Sequence, residues 1–367
     1  MNNIFALYMI MLVAYFLLQS GDTYQIERVF GKKAYRVKPL YAVLFILPLV
    51  IFAWQRSLSI GDSYTYTQMF SRLPDGLDGL IKYLEQYPKD PGFTIFAWLI
   101  KAIGFSYREM FLVVALIQIA SLVYVYRKYS SNYYLTMLLF LISTDYISWM
   151  NNGIRQFMAV TIIFAATTWI IEKEYLRTIL VILFASSFHQ SALLMIPVIF
   201  IVQGEALNSR MLTVFVVFMI SVIFVSAFTD TLDSALQETQ YSNMVTDYTE
   251  GEFTFDDGTN PLRVLVYSIP LLLFLVLKIR GCKTVPKIIN LSVNMSLFSV
   301  GFYLISMATS GIFIGRIPIY FSLYNYILIP WELKKLFVKS QTRIVVGLTM
   351  TLYLIFSLVQ YHGVWAF

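Results

Sequence analysis

Cysteine occurs once in the 367-residue chain, at Cys282, and histidine twice, at His189 and His362. A lone thiol excludes an intramolecular disulfide, and so thin a supply of Cys and His leaves no cluster for a structural metal. Charge is equally scarce: 13% of residues are Asp, Glu, Lys or Arg against 58% hydrophobic, with a mean hydropathy of +0.69. That balance excludes an ordinary soluble domain. Also missing are the polar–apolar alternation of a membrane barrel, internal repeats, low-complexity stretches, an Asp-X-Asp pair and a phosphate-binding glycine loop. Neither a nucleotide-sugar donor, nor a divalent metal, nor any other cofactor is therefore expected.

What the chain has is long apolar runs. Leu40 to Trp54, Phe111 to Val125 and Met211 to Phe228 are apolar all round, as helices in lipid must be. The pattern predicts an all-α polytopic transmembrane bundle, one integral membrane domain over residues 1–367. About twelve crossings are expected, at residues 3–19, 39–54, 109–126, 132–150, 154–171, 176–188, 191–203, 211–228, 262–278, 288–308, 317–331 and 344–361. The first run lacks a basic leader and a small-residue cleavage site, and Arg28, Lys32, Lys33, Arg36 and Lys38 follow it, so it reads as a retained helix. With both termini outside, the inner segments and helix edges collect 18 of the 27 Lys and Arg but only 6 of the 21 Asp and Glu. The basic pI near 9.1 is thus a topology signal, and no nucleic-acid partner is implied.

Two outer segments are long enough to do more than connect, residues 55–108 and 229–262. Within the first, Gly92 to Gly104 is apolar but too short to span, which predicts an interfacial or re-entrant helix. The second carries eight acids and no Lys or Arg. Residues 175–203 read as two short arms meeting at His189, because a single crossing there would place the acidic segment inside and Lys278, Arg280, Lys283 and Lys287 outside. Each arm is roughly 20 Å long at 1.5 Å per residue, against a hydrocarbon core of about 30 Å. His189 is then expected on the floor of a cavity open to the exterior.

On this topology Arg155, His189, Arg263 and Arg316 share the outer face and are expected to share one pocket. A single arginine at a helix end can simply snorkel to headgroups. Several together suit a diphosphate whose lipid tail lies in the bilayer, since guanidinium is permanently charged and forks onto phosphate oxygens. His189, flanked by Ser187, Gln190 and Ser191, is either a satisfied core histidine or, beside a diphosphate, the general base for a sugar hydroxyl. Asp62 and Asp90 stand next to glycines as turn residues do; they cap helices, bind sugar hydroxyls or hold the arginines. Asp145, Asn151 and Asn152 cap helices or line the cavity. Outer-segment tyrosines, Tyr64, Tyr66, Tyr241 and Tyr248, are interface anchors or stacking platforms for sugar rings. His362, beside Tyr361 and Trp365, reads as interfacial.

Taken in order, Gly61-Asp62-Ser63-X-X-Tyr66, Asp90-Pro91-Gly92-Phe93, Asn152-Gly153-Ile154-Arg155-Gln156, His189-Gln190-Ser191-Ala192, Thr239-Gln240-Tyr241 and Gly315-Arg316 with Tyr320-Phe321 resemble the EpsG family of exopolysaccharide polymerases. The likeness runs over nearly the whole chain. Arg155-Gln156 and His189 with Ser191 are its most specific pieces; Ser63 stands where the family often has threonine, which keeps the hydroxyl. The resemblance implies a Wzy-like, GT-C-type glycosyltransferase of a bacterial plasma membrane, acting in biofilm or capsule formation. It would polymerise repeat units carried on undecaprenyl diphosphate at the outer leaflet, with polysaccharide export and chain-length regulator proteins as partners. Arg155, Arg316 and His189 would be catalytic, with Arg263, Asp62, Tyr66, Asp90, Asn152, Gln156, Gln190 and Tyr241 binding substrate. A flippase for the same lipid-linked sugar, which would want polar residues in both leaflets, and a membrane acyltransferase, which would take a cytoplasmic donor, are the competing classes.

The topology makes a direct prediction. With Cys282 replaced by Ser, single cysteines at Asp257→Cys and Lys283→Cys should react with a membrane-impermeant thiol reagent from opposite sides; labelling of both from one side would overturn the assignment.

Overall fold

Each of the predicted segments overlaps helix among the described residues of the computed structural model, which are 2–19, 22–224, 259–309 and 314–364. Helix accounts for 77% of the described residues, so the fold is nearly all-α. Among the described residues four helices are long and apolar enough to cross a membrane unaided: α6 (Tyr107–Tyr129), α13 (Pro261–Ile279), α14 (Lys287–Ala308) and the Lys339–Gln360 part of α17 (Lys339–Val364). Shorter apolar helices make up most of the rest: α1 (Asn2–Gln19), α2 (Pro39–Trp54), α5 (Pro91–Ala102), α7 (Tyr133–Ile142), α8 (Ile154–Ala165), α10 (Tyr175–Phe188), α11 (Met195–Ile201) and α12 (Ser209–Ile223). The segment expected to be interfacial or re-entrant is α5, and it stops before Gly104 at φ +88.

Three expected crossings are interrupted, and the expected break at His189 is present. After α7 the chain passes through Thr144 at φ +91, a costly conformation for a β-branched residue, into a π-helical turn over Tyr146–Met150. Residues 154–171 divide at Ala166 into α8 and α9 (Thr167–Glu172). His189 is extended (φ −160, ψ 118), as the break predicted there requires, and a 3-10 turn over Gln190–Leu194 precedes α11. Residues 317–331 become α15 (Ile319–Ser322) and the start of α16 (Asn325–Leu336).

One departure from all-α is clear-cut. The basic connection after α1 is a β-hairpin, β1 (Tyr24–Val29) antiparallel to β2 (Lys32–Val37). Phe30 at φ +50 and Gly31 at φ +76 form a two-residue turn with both central residues at positive φ, the geometry that matches strand twist. The signal was present in the alternation of Tyr24, Ile26 and Arg28 and of Lys33, Tyr35 and Val37, beneath a charge count read only for topology.

The elements group into two units, residues 1–196 with 333–367 and residues 197–332. In the first, α6 is the axis, packed against α2 and α8 and touching α3 (Ser63–Arg72), α5 and α7. A Ser106/Glu109 capping box opens α6, and Arg127 and Lys128 close it, charges suited to the two ends of a helix dipole. Midway, the fully buried Gln118 donates from Nε2 to the Ile154 carbonyl at 3.1 Å, pinning the start of α8. Every residue of α7 is buried; it packs against α1 and α17.

In the second unit α14 is the core, in contact with α12, α13 and α15. Its asparagines hold the preceding connection: Asn290 Oδ1 accepts from the Ala206 amide, and Asn294 bonds both the Leu207 amide and the Val202 carbonyl. Gly301 lets α14 approach α12 so closely that a Cβ there would overlap the Phe218 ring. Gly301→Ala should therefore lower stability by about 1–3 kcal/mol through overpacking, read as a fall in the thermal unfolding midpoint in detergent; an unchanged midpoint would show that the interface yields.

Candidate active site

The two glycine–acid turns within residues 55–108 allow close approach. Gly61 has φ +51, and a Cβ on it would lie 2.5 Å from Asn152 Oδ1, the same oxygen that accepts from the Asp62 amide at 2.8 Å. A Cβ on Gly92 would overlap the Ser187 side chain at the end of α10. Bare glycine thus seats one end of the segment on the residues that start α8 and the other on the residues before His189. Neither Asp62 nor Asp90 caps its helix through the side chain.

Asp90 is left facing inward. It is 5% exposed and sits at φ +51, a left-handed conformation that aspartate tolerates better than most residues. Its Oδ2 receives Arg155 Nη1 at 2.7 Å. Burial pushes this carboxyl up, and the Arg155 charge and the Gln190 backbone amide pull it back. Asp90 therefore ties Arg155, at the start of α8, to the turn that opens α5, while its Oδ1 is buried without a hydrogen-bond partner.

Tyr66, in α3, completes the group. Arg155 Nε points to its hydroxyl at 3.4 Å, and the guanidinium carbon lies 5.7 Å from its ring centroid. Burial raises the Tyr66 phenol against the pull of Arg155, so it stays a neutral donor. Phe93 packs edge-on to Tyr66 at 5.8 Å. Arg155 keeps a side-chain exposure of 28% while its carboxylate partner has 1%, so the cation presents an open edge and the anion does not.

His189 is half-buried, and its Nδ1 lies 2.7 Å from Ser191 Oγ. With Nδ1–H donating to that hydroxyl, Nε2 is the accepting nitrogen, the tautomer a general base needs. Asp62 and Gln190 are exposed, Asn152 is half-buried, and Gln156 is buried at 4% exposure. Gln156 is thus embedded in packing rather than presented. Tyr241, with Thr239 and Gln240, Tyr248 and most of the acidic segment, lies outside the described residues.

Arg56 belongs with this group and was missed. It is 8% exposed, donates from Nη1 to the Met150 carbonyl at 3.2 Å and Asn151 Oδ1 at 3.3 Å, and has its guanidinium carbon 3.9 Å from the Phe111 ring centroid. Its Nε is buried without a hydrogen-bond partner, and no described carboxylate lies within ion-pair reach. Burial pulls its pKa down to about 10, which leaves it charged at neutral pH. A buried cation held by a carbonyl, an amide and a ring face makes the π-helical turn before Asn152 rigid and electropositive. The signal was the one that marks Arg155, an arginine at the mouth of an apolar run.

Arg263 and Arg316 lie in the second unit. Arg263 is in the first turn of α13, half-buried, and Arg316 ends a 3-10 turn over Ile314–Arg316, exposed. Their elements meet: Thr259, just before α13, donates its amide to the Ser306 carbonyl at 3.1 Å, and a Cβ on Gly315 would lie 2.8 Å from Thr259 Oγ1. Each unit thus has its own basic group. Among the described residues no three His, Cys, Asp or Glu side chains cluster as metal ligands.

Compared with known protein families, residues 39–365 match the EpsG family. No curated protein and no solved structure matches the chain.

The Asp90–Arg155 pair can be measured by a double-mutant cycle. Asp90→Asn and Arg155→Gln should each lower stability, by roughly 3 kcal/mol at most because Arg155 is partly solvated, and the double variant should lose less than the sum, with a coupling of about 1 kcal/mol or more. Additive unfolding midpoints would show that the pair does not bind these segments together.

Proposed function

Because the chain belongs to the EpsG family, whose members are exopolysaccharide-polymerase-type membrane proteins, we propose that it is a Wzy-like glycosyltransferase of a bacterial plasma membrane. On this reading its helices form a GT-C-like bundle of about twelve crossings with both termini outside, acting with export and chain-length regulator proteins. It transfers a growing glycan from undecaprenyl diphosphate onto a lipid-linked repeat unit at the outer leaflet.

The observation that supports the reading most is the joining of four family-like motifs, from separate parts of the chain, around Arg155. Asp90 and Tyr66 hold that guanidinium from two sides, through Nη1 and Nε, and leave it partly exposed, while Gly92 lets the Asp90 turn approach Ser187, just before the His189 break. A preformed cation beside a titratable base is what the transfer requires. The acceptor hydroxyl attacks the anomeric carbon of the donor glycan, the bond to the diphosphate oxygen breaks, and undecaprenyl diphosphate leaves. Arg155 stabilises the charge that develops on the leaving group, a preorganised interaction of about 3–4 kcal/mol in comparable sites. His189 Nε2 takes the hydroxyl proton, with Ser191 holding the ring. Arg316 and Arg263 supply a second set of cations, fitting a reaction in which donor and acceptor both carry diphosphates. Asp62, Asn152, Gln190 and Tyr241 contact sugar hydroxyls or rings, and the buried Gln156 supports Arg155 from behind.

Purified protein incubated with lipid-linked repeat unit alone should produce a ladder of lengthening glycans, with no nucleotide sugar added. His189→Ala should cut the rate by about 10²–10⁴; Arg155→Ala and Arg316→Ala should abolish the ladder in folded protein. Movement of substrate between leaflets without lengthening would replace polymerisation by transport, and wild-type ladders from all three variants would remove the site.

A further inference from the structure

The β-hairpin lies at the membrane boundary. It connects α1 to α2, which pack side by side, so the chain leaves and re-enters on one side. Its anchors are all at helix ends. Phe30, in the turn, stacks on Tyr129, the last residue of α6, at 5.8 Å; Arg127 Nε donates to the Val37 carbonyl at 2.6 Å; Arg36 Nη1 donates to the Ser130 carbonyl at 3.0 Å. A lone two-stranded hairpin is marginal in water; these contacts hold it across the end of the bundle.

The register divides its residues between two faces. Glu27 and Arg36 lie on the face that engages α6, Glu27 through an ion pair with Arg127. The opposite face carries three cross-strand pairs, from the helices outward: Tyr24 with Val37, Ile26 with Tyr35, and Arg28 with Lys33. Val37 is buried, but Ile26 is 58% and Tyr35 74% exposed, and Arg28, Lys33 and the adjacent Lys32 are exposed. The hairpin's acids are already engaged, Asp22 by Lys38 and Glu27 by Arg127. Apolar and aromatic residues nearest the helices, with cations beyond them, follow the order in which a bilayer changes from acyl chain to headgroup.

We propose that this face docks on anionic phospholipid headgroups, with Ile26 and Tyr35 at the acyl–headgroup boundary, Arg28 and Lys33 against phosphates, and Lys32, which the register puts on the other face, adding its charge beside the turn. An acidic soluble protein would match the charge but not the position of Ile26 and Tyr35 at the bilayer edge. Three cations near an anionic surface together favour docking on the order of a hundred-fold, an effect that salt should screen.

The test uses the full chain with Cys282→Ser and an environment-sensitive fluorophore on Tyr35→Cys, with a second label site at Ile26→Cys, in nanodiscs of phosphatidylcholine with or without one quarter phosphatidylglycerol. Both labels should be quenched by shallow spin-labelled lipid several-fold more strongly when phosphatidylglycerol is present. Arg28→Gln, Lys32→Gln and Lys33→Gln together, or high salt, should return quenching to the phosphatidylcholine level without changing the unfolding midpoint in detergent. Quenching that ignores both lipid charge and the triple substitution would overturn the proposal. So would labels that no lipid quenches, which would turn the face to water and to a soluble partner.

Discussion

The carboxylate of Asp90 is the point on which the first unit's polar centre turns. Removing it from water costs several kcal/mol unless charge and hydrogen bonds replace the lost hydration. Arg155 at 2.7 Å meets one oxygen of the carboxylate and leaves the other buried without a partner, and the pair joins residues 55–108 to the start of α8. The glycines act on the same joint from outside, Gly61 admitting Asn152 and Gly92 admitting Ser187. Larger residues would hold these segments apart and leave a buried acid without its cation.

Irregular backbone is the second constraint. At membrane depth an unpaired peptide group is tolerated only inside protein or against a water-filled cavity, and the breaks here carry the polar residues. The π-helical turn over Tyr146–Met150 leads to Asn151, Asn152 and Arg155, with Arg56 buried against its last carbonyl. His189 occupies an extended residue between a helix and a 3-10 turn. π-turns of this kind recur at functional sites, and the left-handed Thr144 before this one is strain of the sort that surrounding contacts must hold in place. The backbone irregularities and the family-like motifs thus occupy the same short stretches.

Much of this was legible in the sequence, for physical reasons. Apolar runs must be helices in lipid, so the segments were readable, and an interruption such as Phe188-His189-Gln190 announced itself as a break. Arg155 stood out because a guanidinium at the mouth of an apolar run is expensive. Arg56 has the same setting, yet its burial depends on Phe111 and Asn151, residues about 55 and 95 positions away, and no local pattern reports that. The roles of Gly61 and Gly92 were likewise hidden, because turn chemistry explains a glycine beside an aspartate just as well as close approach does. The hairpin was obscured by its own charge: five cations between two helices satisfy the positive-inside rule whether or not the segment has structure.

An arginine already paired with a carboxylate is, on the proposed reading, better prepared for a diphosphate than a solitary one. A lone guanidinium at the edge of an apolar bundle would swing out to headgroups, and each binding event would have to draw it inward again. Asp90 and Tyr66 hold Arg155 from two sides through Nη1 and Nε, and its side chain is still 28% exposed, so an anion can reach a guanidinium already in place. The carboxylate does weaken the local positive field, and Arg56 works against that loss: it is buried, charged, and near enough to Tyr66 to be influenced by it. Two cations fixed by their packing thus stand in the first unit's polar centre, so an anion would meet them without a mobile side chain having to find it.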